Sequence, residues 1–326
     1  MTMPTIGLIL SAITVTQPIT PMDTQTSQFL EEFAKVFSSL DNLPLSEQRA
    51  TIKEMFRIPE SQLEQVASFE NIVVNGTNGD IPVRIFSPSS NGPLPIIVFF
   101  HRGGWVYGSV DESERICRKL ANEIGAIVAS VEYKLSPEHK FPIPLEDCYD
   151  ATKWLVQNAA TFSGNAAQVI LCGESAGGNL AAAVALKARD TKEFSVARQL
   201  LLYPVLTMEL DEQRYENSPD KSLLTYDNMT FFIDSYLSSG ADLENPYAAP
   251  IKSHDLTRLP ACFVVTAEFD ALKHEGQEYA EVLGKFGVDT LYKCYPGVIH
   301  GFLDLPLADE VKQDAMADIV AWVKSL

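Results

Sequence analysis

Residues 171–180 read LCGESAGGNL, with Gly173, Ser175 and Gly177 in a G-x-S-x-G pattern. An apolar run, Val169, Ile170, Leu171 and Cys172, precedes it, and the helix formers Leu180, Ala181, Ala182, Val184, Ala185 and Leu186 follow. A strand that ends in a sharp turn into a helix leaves the serine hydroxyl exposed at the end of the strand. The helix N-terminus then faces the place where negative charge develops. The glycines have a mechanical reason, since a side chain on either flank would crowd the turn.

Around this turn the chain alternates short apolar runs with helical ones. The predicted strands are 95–100, 126–133, 168–173, 199–204, 261–267 and 290–295, with helices near 111–124, 145–159, 175–189, 271–286 and 306–325. Continuous Val/Ile/Leu runs between helices indicate parallel strands covered on both faces. Two alternating runs, FENIVVN and IPVRIFS, flank NGTNGD and predict a hairpin ahead of them. The expectation is an α/β fold: a mostly parallel eight-stranded sheet flanked by helices. Helices are also predicted over 27–40 and about 46–56. Nearly sixty residues separate the strands at 199–204 and 261–267; they hold a polar stretch and a helix over 225–238. A connection that long inside a compact domain is usually functional, and its position favours a lid over the serine.

Composition narrows the function. The formal net charge is −18 and the pI about 4.6. Such a surface repels phosphate backbones and anionic lipid heads, so neither nucleic acid nor membrane is an expected partner. Five scattered cysteines, Cys117, Cys148, Cys172, Cys262 and Cys294, include no C-x-x-C pair; reduced thiols in a cytoplasmic protein fit better than disulfides or a zinc site. The apolar first twenty residues lack a basic n-region and a clear cleavage site, so they read as a tail rather than a signal peptide.

A serine is a poor nucleophile at neutral pH and needs a general base that a third group orients. Of five histidines, His300 lies past the last strand and before the last helix, in YPGVIHGF. Asp270 follows the preceding strand and is preferred as the acid over Glu268, which sits nearer the strand. Ser175, Asp270 and His300 therefore occur in the chain order of an α/β-hydrolase triad. Tetrahedral intermediates also need backbone donors for their oxyanion. Gly103 and Gly104, after the strand at 95–100, and Ala176, after the serine, are the candidates. No metal or cofactor is called for. Trp105, Tyr107, Tyr203 and Phe302 border these loops and either line the pocket or fill the core.

These motifs together resemble the hormone-sensitive-lipase-like (bacterial family IV) esterases of the α/β-hydrolase superfamily. The family's HGGG segment appears as HRGGW (101–105), its elbow as GESAGG (173–178), and its Y-R-L-A-P-E segment as Tyr133 through Glu138. Its acid loop runs from Asp270 through Gly276, and its terminal H-G-F is His300, Gly301 and Phe302. The resemblance implies one α/β-hydrolase domain over 1–326. The cap would come from about 1–56 and 207–245, and the catalytic core from about 57–206 and 246–326. It implies roles as well: Ser175 as nucleophile, His300 as base, Asp270 as orienting acid, and His101 and Glu138 as structural braces. Dimerisation through the edge strand at 290–295 is common in such proteins. The departure is Arg102, where the family has its first glycine. The full glycine triplet goes with acceptance of bulky tertiary alcohols. Two readings of Arg102 stay open: it narrows the alcohol side of the site, or it points to solvent or pairs with a nearby carboxylate.

The expected activity is a carboxylesterase acting on small-molecule esters of short to medium acyl length through an acyl-enzyme. The cap segment is polar and acidic, unlike the apolar lid of a long-chain lipase. The alternatives are an amidase of the arylformamidase kind, suggested by HRGGW, and a non-catalytic receptor of this fold. The receptors lack the catalytic histidine that His300 supplies here.

Overall fold

The computed structural model describes residues 22–40, 42–90, 92–220 and 223–326. The tail 1–21, on which the signal-peptide reading fell, lies outside them. Eight strands form one sheet: β1 Ser68–Gly76, β2 Gly79–Ser87, β3 Leu94–Phe100, β4 Ile127–Val131, β5 Gly164–Glu174, β6 Arg198–Leu202, β7 Ala261–Phe269 and β8 Thr290–Ile299. Their spatial order is β1-β2-β4-β3-β5-β6-β7-β8. Both neighbours of β2 pair with it antiparallel, and every pair from β4 to β8 is parallel. The expected eight-stranded, mostly parallel α/β sheet is the one found. The predicted hairpin closes with Gly76 opposite Gly79.

The central strands are apolar throughout because each face has its own core. Ile96, Val98, Phe100, Val169, Leu171, Leu201 and Val264 point to one side. There they meet α4 (Ile143–Gln157), α5 (Ala176–Thr191) and α8 (Lys273–Lys285). Ile97, Phe99, Ile170, Cys172, Leu200, Leu202, Phe263 and Val265 point to the other. That side is covered by α3 (Glu114–Leu120) and α9 (Asp309–Lys324). Period-two alternation thus feeds two cores from the same strands. Each fully buried Leu, Ile, Val or Phe side chain adds about 1.5–3 kcal/mol.

Four further helices stand apart from these layers: α1 (Thr24–Leu40) and α2 (Leu45–Met55) before β1, and α6 (Glu212–Glu216) and α7 (Tyr226–Tyr236) between β6 and β7. Three boundaries differ from the sequence reading in ways that bear on the site. β5 begins at Gly164, four residues early, although only its second half carries the apolar signal. β8 continues past Tyr295 to Ile299 and delivers His300 directly from its end; Pro296 and Gly297 had masked that continuation. The helix expected over 111–124 is shorter, ending at Leu120 with a π turn to Gly125. All five cysteines are free thiols. No helix among the described residues is long and apolar enough to cross a membrane.

Candidate active site

Ser175 joins β5 to α5 with φ 55° and ψ −117°, a left-handed conformation that costs a non-glycine residue about 1–3 kcal/mol. Neighbouring backbone holds it there. Its N–H donates to the Leu202 carbonyl at 2.9 Å, and its carbonyl accepts from Asn179 at 3.1 Å and Val205 at 3.2 Å. The flanking glycines are places of close approach. A Cβ on Gly173 would stand 2.1 Å from the Gly177 carbonyl oxygen, and one on Gly177 2.0 Å from the Phe100 carbonyl oxygen. Ala176 is the first residue of α5, where a helix N–H has no partner of its own.

Asp270 follows the end of β7, and His300 the end of β8. The His300 Nδ1–H donates to Asp270 Oδ2 at 2.9 Å, which fixes the tautomer and leaves Nε2 as the acceptor. Both side chains are buried. Burial lowers the basicity of His300, but Asp270, by charge and hydrogen bond, with Asp220 and Glu174 behind it, outweighs this and raises the imidazole above its ordinary value. Glu268 does not reach the histidine; it accepts from the Gly297 N–H at 2.7 Å and so ties the end of β7 to β8.

Ser175, His300, Gly103 and Gly104 open onto one cleft of about 110 Å³. Gly103 (φ +116°) and Gly104 (φ +60°) are both left-handed. A Cβ on Gly103 would meet the Tyr107 carbonyl oxygen at 2.3 Å, and one on Gly104 the Phe232 ring at 2.4 Å. His101 braces this loop: its ring donates from Nδ1 to the Arg102 carbonyl at 2.8 Å and stacks on Tyr133 at 4.1 Å. Burial pushes its basicity down to about 4, so it is a neutral strut at pH 7. Glu138 is likewise structural, receiving two 2.8 Å bonds from Arg49 of α2. The same guanidinium donates to the Val106 and Ser136 carbonyls.

Of the four aromatics, Trp105 and Tyr107 border the cleft, although Trp105 is itself fully buried and stacked on Tyr236 at 4.2 Å. Tyr203 and Phe302 are not on the cleft wall. Phe302 is buried against Tyr203 and Tyr295. Tyr203 packs edge-on to His300 at 5.0 Å and donates its hydroxyl to Glu174. These two support the site from behind, because the strand ends turn them into the core. The remaining wall comes from α1, α2 and α7 and the residues beside them: Phe33, Phe37, Ile52, Phe56, Met229 and Phe232. Sequence periodicity marked several of these as helix-face positions without indicating what the face met.

Arg102 lies at the cleft edge, and its guanidinium is engaged. It pairs with Asp304 at 2.5 Å and Glu174 at 3.5 Å and lies over the Phe56 ring at 5.1 Å. Arg115 reaches the same Asp304 at 3.0 Å. Burial works against its charge, but Asp304 and Glu174 hold its pKa above the ordinary value. Carboxylate pairing, one of the readings of Arg102, is therefore observed. Asp304 and Glu174 carried no sequence signal of this role.

A serine on a strained elbow, a histidine bonded to a carboxylate and a glycine loop at one cleft have the form of a serine hydrolase of the α/β-hydrolase class. A family model described as alpha/beta hydrolase fold matches residues 97–304, and the chain belongs to that family, in its hormone-sensitive-lipase-like branch. It is 31% identical over 316 residues to "Carboxylesterase NlhH" of Mycobacterium tuberculosis, covering 95% of this chain and 97% of the relative. It is also 31% identical over 290 residues to "Arylesterase" of Saccharolobus solfataricus, covering 88% and 94%. The solved hyperthermophilic esterase from the archaeon Pyrobaculum calidifontis superposes with a TM-score of 0.85 at 38% identity, covering 95% of this chain and 99% of that one. The chain is accordingly a carboxylic ester hydrolase.

Proposed function

We propose that Ser175, His300 and Asp270 are the catalytic triad, that the Gly103, Gly104 and Ala176 amides form the oxyanion hole, and that the substrates are esters of short to medium acyl length. The observation that carries this reading is the 2.9 Å His300–Asp270 hydrogen bond beside a serine that shares the histidine's cleft. Ser175 Oγ attacks the ester carbonyl while His300 Nε2 takes its proton. Asp270 stabilises the imidazolium that forms. The three amides hold the oxyanion, each such donor contributing about 2.7–4 kcal/mol at the transition state. His300 then returns the proton to the leaving alcohol. Water repeats the sequence on the acyl-enzyme. No metal or cofactor enters these steps.

Cleft size supports the acyl range. A free volume of about 110 Å³ is well under the ~300–1,000 Å³ of drug-sized sites. The wall of α1, α2 and α7 is the cap in this reading, drawn from about 22–56 and 207–245 of the described chain. The acidic surface fits a cytoplasmic enzyme that binds neither membranes nor nucleic acid. The edge position of β8, with Leu291 42% exposed, supports a homodimer through that strand.

A hydrolysis profile across p-nitrophenyl esters tests the reading. Activity should peak at short to medium chains and fall by ~10-fold or more at long ones. Ser175→Ala should leave only the ~10³–10⁴-fold acceleration over water that binding and the oxyanion hole supply. Wild-type turnover in that variant would remove Ser175 from the chemistry.

A further inference from the structure

The mechanism leaves one buried carboxyl group beside the triad unexplained. Asp220 lies in the connection between β6 and β7, in the sequence Ser218-Pro219-Asp220, far in the chain from all three triad residues. It has no solvent exposure. The Ser218 hydroxyl donates to its Oδ1, while Oδ2 is buried with no hydrogen-bond partner among the described residues. A buried carboxylate oxygen without a partner is costly and calls for a reason. The groups that act on it from the elements packed against it are Asp270 at the end of β7, and the imidazole and main-chain N–H of His300 at the end of β8. Seen from the histidine, Asp270, Asp220 and Glu174 are the carboxyl groups that bear on the ring.

We propose that Asp220 is a positioning residue of the hydrolytic site, a carboxyl group that the β6–β7 insertion seats against the Asp270–His300 pair and whose charge tunes the basicity of the imidazole. The inference rests on the triad reading of His300. It goes beyond that reading in making the base depend on a residue of the cap.

The physical sense is as follows. Burial first, and then the like charge of Asp270, push Asp220 up to about 7, against the opposing pull of the Ser218 hydroxyl and His300. The charge on Asp220 and the charge on His300 therefore act on each other, so protonation of either shifts the other. An ionised Asp220 favours the imidazolium. A neutral Asp220 leaves the imidazole easier to deprotonate and able to act as base at lower pH. The insertion that closes the cleft thus also carries a charge that sets when the base is available.

The test compares wild type, Asp220→Asn and Ser218→Ala in two measurements. One is the pH profile of kcat/KM on p-nitrophenyl butyrate; the other is the His300 protonation midpoint by NMR. Asparagine keeps the size of the group and an acceptor for Ser218 but removes the charge. Both the acidic limb and the His300 midpoint should move to lower pH by on the order of 1 unit in Asp220→Asn. They should move the same way by less in Ser218→Ala, which withdraws a donor from the ionised carboxylate. Ser218→Ala keeps the test open if Asp220→Asn does not fold. An unmoved His300 midpoint in folded variants overturns the proposal. The NMR midpoint does not depend on turnover, so it is read separately from failure of the triad assignment, which Ser175→Ala reports.

Discussion

Two glycine turns flank Ser175 and its cleft, and they are packed differently. At the elbow, Gly173 and Gly177 touch carbonyl oxygens of neighbouring strand and helix, at 2.1 and 2.0 Å from where a Cβ would sit. In the loop after β3, Gly103 likewise meets the Tyr107 carbonyl, but Gly104 meets the ring of Phe232 on α7. The elbow is thus backbone against backbone, fixed by the sheet. Gly104 is backbone against a side chain of α7, and such a side chain can be changed. The geometry of Ser175 thus belongs to the core of the fold, whereas the space above Gly104 depends on what the β6–β7 insertion supplies.

Three substitutions probe that contrast. The largest effect is expected from Gly177→Ala, because the Phe100 carbonyl it would strike lies in the centre of the sheet. It should lower stability by about 3 kcal/mol, at the upper end of overpacking costs. It should also abolish measurable hydrolysis, as read by denaturant melts and initial rates. A folded, active Gly177→Ala enzyme would break the distinction.

Next comes Gly104→Ala, expected to cut kcat/KM by ~10²-fold through displacement of an oxyanion donor. The double variant Gly104→Ala with Phe232→Ala should recover most of that loss, since the added methyl then has room. Failure to recover would move Gly104 into the elbow's class.

Arg102→Gly should act mainly on stability. It leaves Glu174 buried without its cation, and Asp304 with Arg115 alone, a disruption on the order of 3 kcal/mol. The ratio of tertiary to primary ester rates should change less than twofold, because the guanidinium is held by Asp304 and Glu174 and lies over Phe56. A tenfold rise in that ratio, measured with tert-butyl and butyl esters, would place the arginine on the alcohol path after all.

Much of the site was legible in the chain because its parts sit where local patterns change. Ser175, Asp270 and His300 each follow an apolar strand run, and a strand's end is where a loop can present a side chain to the cleft. Glycines mark the turns for the steric reason the structure displays. For Tyr203 and Phe302 the sequence left wall and core both open, because closeness in sequence to a loop says nothing about which way a ring turns. Tyr203 faces Glu174 and the back of His300, and Phe302 completes the core between Tyr203 and Tyr295.

By itself the sequence determined the order of strands and helices, the elbow and the three residues proposed as the triad, since these depend on local periodicity and on residue chemistry. Only the tertiary structure decided what surrounds them: Asp304 and Glu174 about Arg102, Phe232 over Gly104, Asp220 beside His300. Those partners lie roughly 70 to 200 residues along the chain from the groups they modify. Burial and charge act through space, and no spacing along the chain records that distance. The LCGESAGGNL stretch therefore announced a hydrolase elbow, and only the fold brought Phe232 and Asp220 of the β6–β7 insertion to Gly104 and His300.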